Sequence, residues 1–201
     1  MSENNMKFRV FQIGFNKCAT VSVCHFFRDN GYKAVHWDKN KLAQTMKYNA
    51  EQGKNVITGY ENFDVFTDME GYSVEGDSYI YAYMDYFKEM YEDNPNSKFI
   101  LNTRSRSKWI LSRIKHGRGS YVRDLCRINE CTEEELIMKW NVEWYEHHLN
   151  VINYFKDKPE HLLLFDIEND SPQVIVDFLK DNMSLDVEMW AHHHKSSEKY
   201  K

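Results

Sequence analysis

The chain reads as an α/β protein of three layers, with a central, mainly parallel sheet of about five strands flanked by helices. Three observations predict this. Short apolar runs at residues 8–13, 33–37, 63–67, 99–103 and 162–165 alternate with longer stretches of helical periodicity. The first two runs are joined by a helix-length segment ending at Gly31, the spacing of a crossover between parallel strands. No internal repeat, low-complexity stretch or linker divides the 201 residues, so one domain over 1–201 is expected. A chain of this size buries roughly 70% of its unfolded surface and needs no staples.

Phe8 to Ile13 is the first predicted strand and Val23 to Asn30 the first helix, with Gly31 in the usual glycine position after it. Lys33 to Trp37 is the second strand, ending in His36-Trp37-Asp38, and Lys41 to Asn49 is helical. Of two short apolar pieces, Val56 to Gly59 and Phe63 to Thr67, the second is the better strand; it runs out at Thr67-Asp68-Met69-Glu70. Residues 71–78 read as a loop, Tyr79 to Glu92 as a helix, and Asn94-Pro95-Asn96-Ser97 as a stop and turn. Phe99 to Thr103 has the composition of a buried strand and runs directly into Arg104. Ser107 to His116 is the next helix, and Gly117-Arg118-Gly119 is a flexible break whose Arg118, with Arg123, either closes over a ligand or is solvated. Thr132 and Glu135 form a capping box for a long helix to about Lys156. Leu136, Trp140, Trp144, Val151 and Phe155 share one face of it and read as core, while His147-His148 read as surface or core-edge residues. Leu162 to Phe165 is the last strand, and Ser171-Pro172 opens a final helix with Val174, Ile175, Phe178 and Leu179 on its apolar face.

A net charge of −5 argues against broad nucleic-acid binding but leaves room for a local basic pocket. The four cysteines, Cys18, Cys24, Cys126 and Cys131, form no CxxC pair, so reduced thiols in a cytoplasmic setting are expected, with Cys126 and Cys131 as plain apolar packing. No basic-then-apolar leader and no run near 18 apolar residues appears, so no membrane segment is expected.

In sheets of this kind ligands gather at the carboxyl ends of the strands. That gives weight to Lys17, His36, Asp38, Asp68, Glu70, Arg104 and Asp166. The densest chemistry lies in Asn16-Lys17-Cys18-Ala19-Thr20-Val21-Ser22, where a strand turns at once into a helix. Such a turn aims backbone N–H groups and the helix dipole at one point, Lys17 adds a mobile cation, and Thr20 and Ser22 add hydroxyl donors: a phosphate-binding loop. The G-x-x-x-x-G-K-[ST] loop of triphosphatases does not fit, because Lys17 comes three residues after Gly14 and no Gly-Lys-Ser/Thr follows. The second signal is Arg104, at a strand end, with Ser112 eight residues later on the returning helix. Together they can hold a second phosphate, the arginine bidentately.

This pair of motifs resembles the sulfotransferases that use 3′-phosphoadenosine 5′-phosphosulfate (PAPS). Phe99-Ile100-Leu101-Asn102-Thr103-Arg104 with Trp109 is similar in particular to the compact, P-loop-like members of that group. The resemblance implies that Lys17, Thr20 and Ser22 meet the 5′-phosphosulfate and that Arg104 and Ser112 meet the 3′-phosphate. It implies a hydroxyl acceptor on a sugar or small metabolite, 3′-phosphoadenosine 5′-phosphate (PAP) as product, and no metal. The loop departs from the family at Ala19, where glycine is usual, and at Val21, where a hydroxyl residue is usual. Relatives carry the general base at one of two strand ends. Here these hold His36 and Asp38, or Asp68 and Glu70; the second pair is preferred, since its two carboxylates stand where strand gives way to loop. His192-His193-His194 lie where the family adds a further 3′-phosphate contact. Two other functions stay open: a nucleotide or metabolite kinase, with Asp166 as its one candidate magnesium carboxylate, and a non-catalytic nucleotide-binding module, for which Ala19 and Val21 speak.

Overall fold

The computed structural model describes residues 7–191; residues 1–6 and the His192–His194 run lie outside the described residues. Its strands are β1 (Val10–Gln12), β2 (Ala34–His36), β3 (Val65–Thr67), β4 (Glu70–Tyr72), β5 (Tyr79–Tyr81), β6 (Lys98–Thr103) and β7 (Leu162–Asp166). Its helices are α1 (Thr20–Asp29), α2 (Lys41–Glu51), α3 (Ala82–Asp85), α4 (Phe87–Asp93), α5 (Arg106–Ile114), α6 (Ser120–Ile128), α7 (Glu133–Phe155) and α8 (Gln173–Leu179). Among the described residues no helix is long and apolar enough to cross a membrane.

Five strands form one parallel sheet in the order β2-β3-β1-β6-β7. Period-two alternation splits its residues between two cores. Phe11, Phe66, Phe99 and Leu101 face α2, α5, α6 and α7, while Val10, Ala34, Val65, Ile100 and Phe165 face α1 and α8. On the first face Phe11 stacks on Phe66 at 5.0 Å and on Phe99 at 5.3 Å, a ladder across three neighbouring strands. Aromatic pairs of this kind add about 0.5–1.5 kcal/mol each to the burial term.

The chain leaves β1 toward β2 and β3 on one side and returns to β6 and β7 on the other. The crevice between β1 and β6 is therefore the switch point where α/β sheets bind ligands. The loop after β1 lies there, between the ends of β3 and β6. Gly14 is required at its root: a Cβ there would stand 2.1 Å from the Asn102 main-chain oxygen.

Four segments differ from the sequence expectation. Residues 71–78 and the start of the expected Tyr79–Glu92 helix form an antiparallel hairpin, with Glu70 paired to Tyr81 and Tyr72 to Tyr79. Tyr-Ile-Tyr is strand-forming, and pairing carries the Tyr79 hydroxyl onto Glu70. Helix begins only at Ala82 and breaks at Tyr86, whose φ is −126°. Helix α6 follows the Gly117–Gly119 break, in a stretch that the sequence leaves unassigned, and buries Tyr121, Val122 and Leu125. His147 is core rather than surface, only 1% exposed, with Nε2–H donating to the Ile13 carbonyl at 2.6 Å. Finally, α1 starts at Thr20, so Thr20 and Ser22 belong to its first turn, not to the loop before it.

That early start depends on Ala19, which caps α1 in the left-handed conformation with φ 63° and ψ 25°. A Cβ in that region costs roughly 1–2 kcal/mol, whereas glycine there loses only about 0.5–1 kcal/mol of unfolded-state entropy. Ala19→Gly is expected to raise stability by up to about 1 kcal/mol, against the usual cost of Ala→Gly in helices. Urea denaturation checks it; a loss of stability would mean that the αL strain is not there.

Candidate active site

The loop backbone is stapled from outside. Asn102 on β6 accepts from the Gly14 N–H at 3.0 Å and donates to the Cys18 carbonyl at 2.5 Å. Arg104 donates to the Lys17 carbonyl at 3.2 Å and Trp109 to the Asn16 carbonyl at 3.1 Å. Lys17 and Ala19 are both left-handed, with φ 64° and 63°, and Cys18 between them is not. This alternation curls the backbone into a concave nest whose carbonyls are bound behind it. At its inner end the first turn of α1 offers N–H groups with no intrahelical acceptor. Burial pushes the Cys18 thiol up to about 12, so it packs and does not react.

Two cations flank the nest. Lys17 Nζ lies 3.2 Å from His116 Nδ1, at the glycine break after α5. Burial, then the charges of Lys17 and Arg113, push the His116 imidazole down to about 4. It is neutral at physiological pH and accepts from the ammonium, which orients Lys17. Arg104 contacts Glu168 at 3.4 Å; Lys108 Nζ and the Ser105 N–H reach the same carboxylate at 2.9 Å each. Glu168 is thus an internal anion beside two basic side chains. Ser112 lies one turn beyond Lys108 on the same side of α5. Thr20 and Ser22 are buried.

The four base candidates are split apart. Glu70 is only 3% exposed and accepts from Asn16, from Tyr79 at 2.9 Å, from Tyr83 at 3.1 Å and from Tyr121 at 3.3 Å. It also faces Arg113, at 3.6 Å. Burial raises its carboxyl above the usual range, Arg113 pulling the other way. Asp38 accepts from the Tyr60 hydroxyl at 2.6 Å. His36 and Asp68 form a pair, Nε2 to Oδ2 at 3.3 Å. The Thr67 hydroxyl donates to the Val35 carbonyl at 3.1 Å, so His36 Nδ1, at 3.0 Å, must donate to Thr67. Nε2 is therefore the nitrogen that shares a proton with Asp68. The Asp68 side chain is 17% exposed, but its Oδ1 is buried and has no hydrogen-bond partner among the described residues. Burial lifts the Asp68 carboxyl above the usual carboxylate range, with Lys17 and then Arg113 opposing.

Sequence reasoning missed the residue that joins these parts. Arg113 is fully buried; Nε donates to Asn16 Oδ1 at 2.9 Å and Nη2 to the Tyr121 hydroxyl at 2.7 Å. The rings of Trp109 and Trp140, both at 4.7 Å, and of Tyr121, Tyr81 and Phe15 enclose its guanidinium. Asn16, counted in the sequence among the cofactor-binding residues, spends its side chain on Glu70, Tyr121 and Arg113 beneath the nest. Arg118 and Arg123 are exposed, joined by one 3.4 Å bond from Arg123 to the Arg118 carbonyl. Asp166 is engaged in its own turn, accepting from Glu168 N–H at 2.9 Å and from Asn169 at 2.7 Å.

Arg113→Met leaves Glu70 buried without its cation and is expected to cost about 3–5 kcal/mol in urea denaturation. Combining it with Glu70→Gln should recover at least about 1 kcal/mol, since neighbours in one network are not additive. Strict additivity would mean that the two do not act on each other.

The family model described as a sulfotransferase domain matches residues 9–160. Comparison with curated proteins finds no match. The matched span takes in the loop after β1, the His36–Asp68 pair, the hairpin, Arg104 and the aromatic cage around Arg113, well over half of the chain. The chain therefore belongs to the sulfotransferase domain family.

Proposed function

We propose that this protein transfers a sulfuryl group from PAPS to a hydroxyl of a sugar or small metabolite. The observation that carries this is the bond from Arg104 to the Lys17 carbonyl, which makes two anion sites one rigid body. A donor with phosphates at both ends suits that spacing of functions: Lys17, Thr20, Ser22 and the nest amides at the 5′ end, Arg104 and Ser112 at the 3′ end. The left-handed Lys17 and Ala19 curl the backbone as a phosphate cradle needs.

PAPS, when bound, supplies the sulfuryl group. Lys17 stabilises the negative charge that develops on the bridging oxygen as the sulfur–oxygen bond to phosphate breaks. Asp68 takes the proton from the acceptor hydroxyl as the new oxygen–sulfur bond forms, with His36 paired to its Oδ2. Glu70 is assigned a structural role, since four donors and Arg113 already occupy it. On the acceptor side Trp37, 41% exposed at the end of β2, offers a flat apolar surface beside that pair. The kinase alternative loses its one carboxylate, because Asp166 is committed to its turn.

Calorimetry without magnesium is expected to find PAP binding at least about tenfold tighter than AMP, the scale of one charge-assisted hydrogen bond. Glu168→Gln, by freeing Arg104 and Lys108, should tighten PAP about tenfold further; equal affinity for PAP and AMP would remove the 3′-phosphate site. Asp68→Asn should lower kcat at least about a hundredfold. The pH profile gives the sign: Asp68 must be deprotonated to accept, and its carboxyl is raised. The acidic limb of kcat/KM should therefore stand above the ordinary carboxylate range and vanish in the variant. A limb that persists in Asp68→Asn would assign the base elsewhere.

A further inference from the structure

Helix α7 carries two apolar stripes. Leu136, Trp140, Trp144, Val151 and Phe155 are buried against the sheet. Met138, Val142, Tyr145, Leu149 and Ile152 are 40% to 69% exposed. Most members of the second stripe follow a member of the first by one or two residues, roughly 100–200° around the helix, so the stripe points away from the core. Single exposed apolar residues are ordinary. Five in line over about four turns are not.

The intervals in the exposed stripe are four, three, four and three residues. That mean of 3.5 is the spacing at which one helix keeps a seam against another helix. We infer that this face is a homodimer interface, in which α7 packs antiparallel on α7 of a second copy. The charges beside the seam choose that occupant. On its open flank stand Lys139, Glu146 and Asn153, all exposed. A two-fold axis crossing α7 between Val142 and Tyr145 sets Val142 against Tyr145 of the partner subunit and Met138 against the partner's Leu149. The same axis brings Lys139 beside the partner's Glu146, and Glu146 beside the partner's Lys139. Lys139 Nζ donates to Asn129 Oδ1 at 2.6 Å and lies 3.9 Å from Glu143; its side chain is half exposed, and the neutral amide leaves its charge to pair across the seam. Parallel packing would instead set Glu146 near the partner's Asn141 and leave it without a cation. A lipid surface calls for a basic flank; this flank is mixed in sign and the whole chain carries −5. Tyr145 is held in place by Arg106, whose guanidinium lies 4.8 Å over its ring.

Sedimentation of the full chain should show a concentration-dependent dimer. Val142→Glu and Leu149→Glu should each give a monomer that still melts cooperatively, because both positions are more than half exposed. Lys139→Glu or Glu146→Lys alone turns two attractive pairs into two repulsive ones and should weaken the dimer about tenfold. The combined swap should restore it to within about threefold of the original. A monomer throughout at up to about 100 μM, a dimer that both glutamate variants leave intact, or a swap that fails to restore association would overturn the proposal. So would a monomer that floats with phosphatidylserine vesicles.

Discussion

Arg113 is a full positive charge with no exposed surface, and the site is arranged around what keeps it there. Isolated, such a charge would be prohibitive. It is tolerated because Asn16, Tyr121 and Glu70 take two of its nitrogens and aromatic faces cover the rest, including Nη1, which has no hydrogen-bond partner among the described residues. Each partner comes from a different element: the loop after β1, the hairpin strand β4, and α6. One side chain on α5 thereby fixes the loop, the hairpin and α6 relative to one another. Pairing a buried charge is weak evidence of stability in itself; here it is a positional constraint that no apolar core could impose.

The constraint explains why two motifs about ninety residues apart act as one object. Asn102, Arg104, Trp109 and Arg113 all reach back to residues 14–18, taking up carbonyls or the Asn16 side chain. Apart from the Gly14 N–H, which donates to Asn102, these bonds take carbonyls or the Asn16 side chain and leave the amide side of the loop to face the crevice. The spacing that looks like two ligand-binding signals in the sequence is therefore also one structural joint, and a change in either half disturbs the other.

Much of this was legible beforehand. Parallel strands buried on both faces are continuous apolar runs, so all five sheet strands could be found, and the Thr132–Glu135 capping box is formed as written. The loop after β1 and Arg104 were readable because strand-end chemistry has a fixed address in α/β sheets. The hairpin was not: its strands are three residues each, too short for alternation to register, and Gly71 looks like a loop glycine. Its true reason is that a Cβ there would meet Asn40 at 2.7 Å, a contact between segments. Arg113 reads as a solvated helix residue, since its burial depends on partners scattered through the chain. His116 and Glu168 carried no local signal either. Their roles exist only once Lys17 and Arg104 have been brought to them.

The two sides of the crevice are built on opposite principles. On the loop side, strain is confined to Lys17 and Ala19 and is locked by five hydrogen bonds from β6, α5 and Arg104 between them. On the β2 side, Trp37, Asp38, Lys39 and Asn40 all have positive φ, at 58°, 45°, 52° and 73°, and none is glycine. Left-handed residues normally occur singly, each costing about 1–2 kcal/mol. Four in a row persist because the surroundings over-determine them. Asn40 Oδ1 accepts from both the Trp37 indole and the Tyr72 N–H, and Asp38 accepts from Tyr60. Asn40 is in turn seated against Gly71 of the same hairpin that carries Glu70. The strained turn that exposes Trp37 and the network that holds the loop are thus braced by one three-residue strand. Order on one side of the crevice cannot be lost without reaching the other.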